Sequence, residues 1–590
     1  MKEFFKYVLA TVVGIFAVSV IGFILFFMII GAIVSSTEKT VIVNNNSMLV
    51  LNLDRQIIDR APNDPFQDLN IPGLQMAQQV GLDDITESIK KAATDDRIKA
   101  IYLNLSYVNG GMASVEEIRN SLKEFKENCD KPIYAYGSNY DQKAYYLASV
   151  ANKIIIHPLG TVDFRGLGGQ MTFYKNALEK LGVEVQVVRH GKFKAAVEPF
   201  IREDMSEKNR EQTLTYLNSL WGHMLEGISQ ERNIPVEKLN KYADEVLTLK
   251  KGEDLVDYGL IDAAEYKDQV LDELREITGI SGNRGIPIIG ATDYANASVK
   301  SAMKGFSRNK IAVIYASGDI GIAMGGEGIS GDALSREIRR VRQDSTYKAI
   351  VLRINSPGGS AFESDVIWRE VKLAAEAKTV VASFGDVAAS GGYYIACAAD
   401  KIVASPNTIT GSIGIFGIFP NAGELLNDKL GITFDEVETN DHSNLLPMTR
   451  PMTDFERTLL QQYIEEGYQT FISHVAEGRG METAQVDSIG QGRVWSGENA
   501  LENGLIDMYG GLKEAIDLAA EISGVEDYRT VSLPYLPDPF EELFQTAPDR
   551  IRTWWLKSEL GENYKQYEQL KKITQMKGIM ARMPYDISVN

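Results

Sequence analysis

The sequence predicts an α/β protein of two tandem repeats behind one N-terminal transmembrane helix, and three observations carry that prediction. A run without a charged side chain, Tyr7 to Thr37, opens the chain. The segment IKAIYLNL (Ile98 to Leu105) recurs as YKAIVLRI (Tyr347 to Ile354). Within each copy, short β-branched runs alternate with helical stretches and glycine-rich turns, the pattern of α/β units around a buried sheet.

A membrane-spanning helix needs about 20 apolar residues, whereas a cleavable secretory signal has an apolar core of about 7–15 ahead of a small-residue exit. The run from Tyr7 to Thr37 is long enough to span, so it is read as a retained anchor. Lys2 and Lys6 precede it. Positive charge stays on the cytoplasmic side, which puts everything after about residue 40 across the membrane. In a bacterium that means the inner membrane, with the domains in the periplasm.

The repeat extends well beyond its first match. The same spacing, within a residue, superposes Gly110-Gly111 on Gly358-Gly359 and AYYLASVANKIII (Ala144 to Ile156) on GYYIACAADKIVA (Gly392 to Ala404). GLID at 259–262 answers GLID at 504–507. These matches divide the chain into an anchor with its cytoplasmic tip (1–40), a first repeat (41–300), a second repeat (301–535) and a helical tail (536–590). The Gly-, Asn- and Ser-rich stretch Gly282 to Lys310 reads as the linker between repeats.

Composition removes several function classes. A formal charge of −19 argues against a nucleic-acid binder, which would present a basic face to phosphates. Cys129 and Cys397 stand alone, with no Cys/His cluster, so neither a disulfide framework nor a metal site is indicated.

The chemistry points to the second repeat. The strand-like run TVVASF (Thr379 to Phe384) leads into GDVAASGGYYIACAAD, which sets Ser390 at a strand-to-helix turn before two glycines. Backbone N–H groups at a helix start can stabilise an oxyanion, and Gly391 lets a carbonyl approach closely. A second donor is expected from INSPGGS (Ile354 to Ser360), at Gly358 or Gly359. Taken singly, these motifs are no more than a helix start and a tight turn.

A serine needs a base. His157, His190, His223, His442 and His474 are scattered without a carboxylate pattern, so a Ser-His-Asp triad has little support and a lysine base is the alternative. Such a lysine must be desolvated to lose its proton near neutral pH. In KFKAAVEPF, both Lys192 and Lys194 qualify by residue pattern. The alignment of the repeats puts Gln142 where Ser390 stands, and the second-repeat stretch matching Lys194, LGITFDEVETNDHSNLLP, has no lysine. One site, with its serine from one half and its lysine from the other, explains both absences.

The N-terminal anchor, KFKAAVEPFIREDMS (Lys192 to Ser206), INSPGGS, ASGGYYIA around Ser390, TGSIGIFG (Thr410 to Gly417) and GRVWSGENALENGLID (Gly492 to Asp507) together resemble the signal peptide peptidase A family, long two-repeat bacterial type. The resemblance implies two crotonase-like (ClpP-like) repeats and a Ser-Lys protease. In it Ser390 is the nucleophile, Lys194 rather than Lys192 the general base, and Ser412 the serine that holds the lysine amine. It implies oxyanion amides at Gly359 and Gly391, with Gly358 still open as the alternative to Gly359. No metal or organic cofactor is required. A homotetrameric bowl contacting membrane lipid through its anchors, with signal peptide remnants as substrates, is also implied. RHGKFK departs from the family pattern in His190 and its second lysine, and a cation there is expected to lower the lysine pKa further.

Two other functions share part of this pattern. A crotonase-type acyl-CoA enzyme would use the same fold and paired amides, but the anchor and the Ser390/Lys194 pair count against it. A catalytically silent membrane scaffold would keep the repeats and dispense with Ser390.

Overall fold

The computed structural model describes residues 41–62, 79–281, 284–297, 307–321, 328–536 and 578–583 continuously, with parts of the stretches 4–22 and 553–571. Nine strands fall in the first half: β1 (Ser47–Asn52), β2 (Gln56–Ile58), β3 (Gln79–Gly81), β4 (Ile98–Asn104), β5 (Ile133–Gly137), β6 (Lys153–Ile156), β7 (Glu184–Arg189), β8 (Ala263–Ala264) and β9 (Ile288–Gly290). Eleven follow: β10 (Lys310–Ser317), β11 (Tyr347–Ser356), β12 (Gly358–Ser360), β13 (Thr379–Ala389), β14 (Lys401–Ala404), β15 (Ile409–Gly411), β16 (Phe416–Asn421), β17 (Val494–Ser496), β18 (Met508–Tyr509), β19 (Arg529–Leu533) and β20 (Gly578–Arg582).

Two main sheets result, and their orders match. The first runs β8-β6-β5-β4-β1-β9; the second contains the path β18-β14-β13-β11-β10-β19. The matched strands are parallel in both. The repeated segments are β4 and β11, placed alike, with Leu49 opposite Ile101 and Ile314 opposite Leu352. Even the GLID copies close in the same way: Asp262 accepts from the Ile154 N–H and Asp507 from the Ile402 N–H, both at 2.8 Å.

Parallel strands covered by helices on both faces read as nearly continuous apolar runs. Accordingly, Ala349, Ile350, Val351 and Leu352 of β11 are all buried. Each repeat has its own core. Ile85, Ile89 and Leu122 pack in the first, and Ile338, Ile367 and Val371 in the second. The helices Lys267–Thr278 and Leu512–Ser523 close the opposite faces.

The two halves are locked by buried charge. Arg353 of β11 is 1% exposed and reaches Asp59 at 2.7 Å and Glu117 at 2.6 Å in the first repeat. Asp386, on the strand that leads to Ser390, accepts from the Ser114 N–H and hydroxyl at 2.9 and 2.7 Å.

The second repeat departs from the first where the site will lie. β13 pairs with β14 through Val381–Ser383 and then with β15 through Val387–Ala389, so it runs past the sheet edge to deliver its end elsewhere. A four-stranded sheet, β12-β20-β16-β7, carries β7 of the first repeat across to the second, with Val187 opposite Ile418.

Three expectations need adjustment. The predicted linker holds β9, which pairs with β1 (Leu49 opposite Ile289), and the helix Ala291–Ala295. Its apolar strand is three residues long and is hidden by Gly and Asn around it. The tail is helical at the described residues between 553 and 571, but it returns as the buried strand β20. Of the predicted anchor, residues 10–22 are helical and exposed, while 23–37 lie outside the described residues. Among the described residues no helix is long and apolar enough to cross a membrane.

Candidate active site

Ser390 follows directly on β13 and precedes the helix Gly391–Ala396. Its backbone sits at φ +55°, ψ −112°, a region that costs a non-glycine residue about 1–3 kcal/mol and persists only where the surroundings enforce it. Here they do. The Ser390 N–H donates to the Gly411 carbonyl and its own carbonyl accepts from the Tyr394 N–H, both at 2.8 Å. The glycines that follow are sterically required: a Cβ on Gly391 would lie 2.7 Å from Ser364 Oγ, and one on Gly392 2.5 Å from the Ser356 carbonyl oxygen.

Lys194 arrives from the other repeat. β7 runs antiparallel to β16, and the chain then turns at Gly191 (φ +96°) to set Lys194 ahead of the 3-10 turn Ala195–Val197. Its Nζ donates to Ser390 Oγ at 2.8 Å, to Ser412 Oγ at 3.0 Å and to the Ser412 carbonyl at 2.9 Å. Lys194, Ser390 and Ser412 are all 0% exposed. Burial pushes the Lys194 amine well below its ordinary value of 10.5, since the charged form loses its water and no carboxylate compensates.

The lysine stem lies in a slot made by glycine. A Cβ on Gly492 would lie 2.6 Å from Lys194 Cβ, and one on Gly414 3.2 Å from Lys194 Cδ. Gln212 spans the slot: it donates to the Phe193 carbonyl and accepts from the Val494 N–H, each at 3.1 Å. Arg189 donates to the Lys194 carbonyl at 3.0 Å.

The glycine turn resolves as well. The Gly358 N–H donates to Ser356 Oγ at 3.2 Å. The Gly358 carbonyl and the Ser360 N–H both bond Ile320 on one edge of β12. Alternation along a strand therefore turns the Gly359 N–H to the other edge, where Ala581 is paired opposite. That edge adjoins Gly391, whose N lies 2.7 Å from the place a Gly358 Cβ would take.

The family model described as peptidase family S49 matches the chain twice, at residues 125–281 and 372–526, and the Clp protease model matches 330–410. A protein named Protease 4 from Haemophilus influenzae is 33% identical over 85% of this chain and 83% of its own length. Protease 4 of Salmonella typhi is 39% identical over 76% and 73%. Serine protease SPPA, chloroplastic, of Arabidopsis thaliana is 33% identical over 92% and 78%. The chain belongs to peptidase family S49.

This S49 member is a serine peptidase of two tandem Clp-protease-like α/β repeats, which sets aside the acyl-CoA alternative. The structure brings Ser390, Lys194, Ser412, Gly359 and Gly391 together. Lys192 is exposed, so the choice that residue pattern left open falls to Lys194. The expected help from a neighbouring cation does not materialise: His190 is engaged by Glu465 at 2.5 Å and stacks on Tyr468, and burial is what lowers the lysine. The other histidines are also occupied elsewhere. His223 faces Glu116, His474 faces Asp365 and Trp368, His442 lies on Phe455, and His157 meets Tyr266.

In this S49 chain the first-repeat counterpart of the serine is sealed. Gln142 accepts from the Arg165 and Gly166 N–H groups at 3.0 Å and donates to the Gly166 carbonyl at 3.1 Å. Sequence reasoning missed Gly414, Gly492, Gln212 and β20. The two glycines sit inside motifs already singled out, and a role for them was open to a reader asking what lies beside the lysine stem.

Proposed function

We propose that this peptidase is a membrane-anchored endopeptidase working through a Ser390–Lys194 dyad shared between its repeats. Its substrates are signal peptide remnants and other unfolded peptides on the periplasmic side of the inner membrane, and it assembles as a homotetramer. The observation that carries the dyad is the 2.8 Å contact between Lys194 Nζ and Ser390 Oγ at a fully buried site.

Neutral Lys194 accepts the Ser390 proton while Oγ attacks the scissile carbonyl carbon. The N–H groups of Gly359 and Gly391 stabilise the oxyanion, and Ser412 holds Nζ on line. Lys194 then gives its proton to the leaving amine, which departs and leaves an acyl-enzyme on Ser390. The amine next takes a proton from water, and the resulting hydroxide frees the acid.

The membrane and substrate parts of this reading rest on the apolar run Tyr7 to Thr37 and on the resemblance of the quoted motifs. The assembly has separate support. In the first repeat the stretch after Leu181-Gly182 crosses to the second repeat as β7; its counterpart after Leu430-Gly431 has no such partner in its own chain. Ile432, Phe434, Val437, Met448 and Phe455 are exposed there. The first repeat of another copy is the matching surface, and head-to-tail contacts of that kind close into rings.

Intact-mass measurement of the detergent-solubilised full chain after treatment with a peptidyl fluorophosphonate tests the dyad. An adduct on Ser390 that vanishes in Lys194→Ala is expected. Active protein with no adduct on Ser390 defeats the proposal.

A further inference from the structure

We propose that the segment Gly578–Met583 is an autoinhibitory occupant of the peptide-binding cleft, holding Ala581 where the residue before a scissile bond belongs. The inference rests on the peptidase dyad above.

β20 lies between β12 and β16 and is antiparallel to both. Gly359 faces Ala581 and Ser360 faces Met580 on one side; Phe416 faces Met580 and Ile418 faces Gly578 on the other. These flanking strands are the two halves of the site. β12 carries the glycine turn, and β16 pairs with β7, which leads to Lys194. Capturing an extended peptide by strand addition is a general mode of recognition, with main-chain bonds for affinity and side-chain pockets for selectivity.

The register puts one carbonyl at the reactive position. The Met583 N–H donates to the Pro357 carbonyl at 2.8 Å. Bonded pairs recur every second residue in an antiparallel ladder, so the next pair is Gly359 with Ala581, and the Gly359 amide faces the Ala581 carbonyl. That oxygen lies 2.2 Å from where a Gly358 Cβ would stand and 3.0 Å from where a Gly391 Cβ would stand. It therefore sits between the two glycine turns, at the place an oxyanion requires. A tail that merely completed a sheet would have no reason to present a carbonyl there.

The side chains describe subsites. Ala581 is 0% exposed, which leaves room for a small side chain only. Met580 packs with Ala196, Val197, Phe200, Phe416 and Ile418. Beyond the carbonyl, Arg582 pairs with Asp319 at 3.0 Å, and Met583 packs with Tyr216, Leu220 and Val494. A peptide with a small residue before the cut and an apolar residue ahead of it reproduces this seating, and it can enter only when the tail leaves.

The test compares the full chain with a chain ending at Lys577, and with full-length Ala581→Trp, on a fluorogenic peptide carrying Met-Ala before the cut. A tethered competitor has an effective concentration on the order of mM. Both variants should therefore raise kcat/KM at least roughly tenfold, mostly through a lower KM. The hexapeptide GIMARM added in trans should inhibit the shortened chain competitively. Unchanged kcat/KM in cooperatively melting variants overturns the proposal; if the shortened chain fails to fold, Ala581→Trp decides. Loss of the residues after Ala581 in the wild type but not in Ser390→Ala also overturns it, since the tail would then be a self-substrate. Full peptide cleavage by Ser390→Ala would instead defeat the dyad on which the inference rests.

Discussion

Gly492→Ala isolates the slot that positions the base. Gly492 has φ +78°, and a non-glycine residue in that left-handed region costs about 1–2 kcal/mol. The added Cβ would stand 2.6, 2.7 and 2.8 Å from Lys194 Cβ, N and Cα. These are root and backbone atoms, which cannot swing aside as a side-chain tip can, so overpacking adds about 1–3 kcal/mol. A total loss of about 2–5 kcal/mol is expected, and the relief of the clash moves Lys194. A displacement of about 1 Å at a reacting group can cost roughly 100-fold in rate. Gly524→Ala is the control: its φ is +67°, but a Cβ there meets nothing within 4 Å. It should pay only the backbone cost and keep full activity. Denaturant unfolding and kcat/KM on one peptide, measured for both variants, separate the two effects. If Gly492→Ala kept the wild-type kcat/KM while losing stability, the claim that this glycine sets the lysine geometry would be wrong.

Because burial depresses the Lys194 pKa, the neutral base is present above that lowered value and lost as pH falls through it. The kcat/KM profile should therefore decline on the acid side, with the same limb in His190→Gln. Lys194→Met should cost about 10²–10⁴-fold in kcat, the range of general-base catalysis. Ser412→Ala removes one partner of Nζ but keeps the carbonyl contact, so a fall of about tenfold in kcat, worth about 1.4 kcal/mol, is expected in steady-state assays. Arg353→Met strands the carboxylates of Asp59 and Glu117 in the repeat interface and should cost about 3–5 kcal/mol in urea unfolding. The triple change with Asp59→Leu and Glu117→Met should recover most of it.

Much of the fold was legible because duplication is visible as letters. IKAIYLNL and YKAIVLRI are equivalent strands, and both GLID aspartates cap equivalent neighbours. The serine and its glycines were legible for a local reason, since a strand-to-helix turn needs small residues that leave a signature. What stayed hidden depends on distance in the chain. β9 and β20 are short strands whose only support is a partner hundreds of residues away, so no periodicity announces them. Arg353, Asp59 and Glu117 look like ordinary surface charges until the repeats dock. Lys194 and Lys192 could not be separated by residue pattern because burial, which distinguishes them, belongs to the second repeat.

That last point explains why the site is divided at all. A lysine can serve as a base near neutral pH only if it is kept dry, and the segment 190–197 in its own repeat has nothing to dry it. β16, Phe416, Gly414 and Gly492 of the second repeat form the enclosure. The serine turn in turn has no base within its own repeat, because the counterpart of the lysine segment projects away with its apolar side chains exposed. The first repeat has gone the opposite way, filling its turn with Gln142, whose amide satisfies the same loop backbone that an active turn would leave for a nucleophile and its base. Each half is thus incomplete by the physics of burial, and the reactive pair exists only where one repeat covers the other.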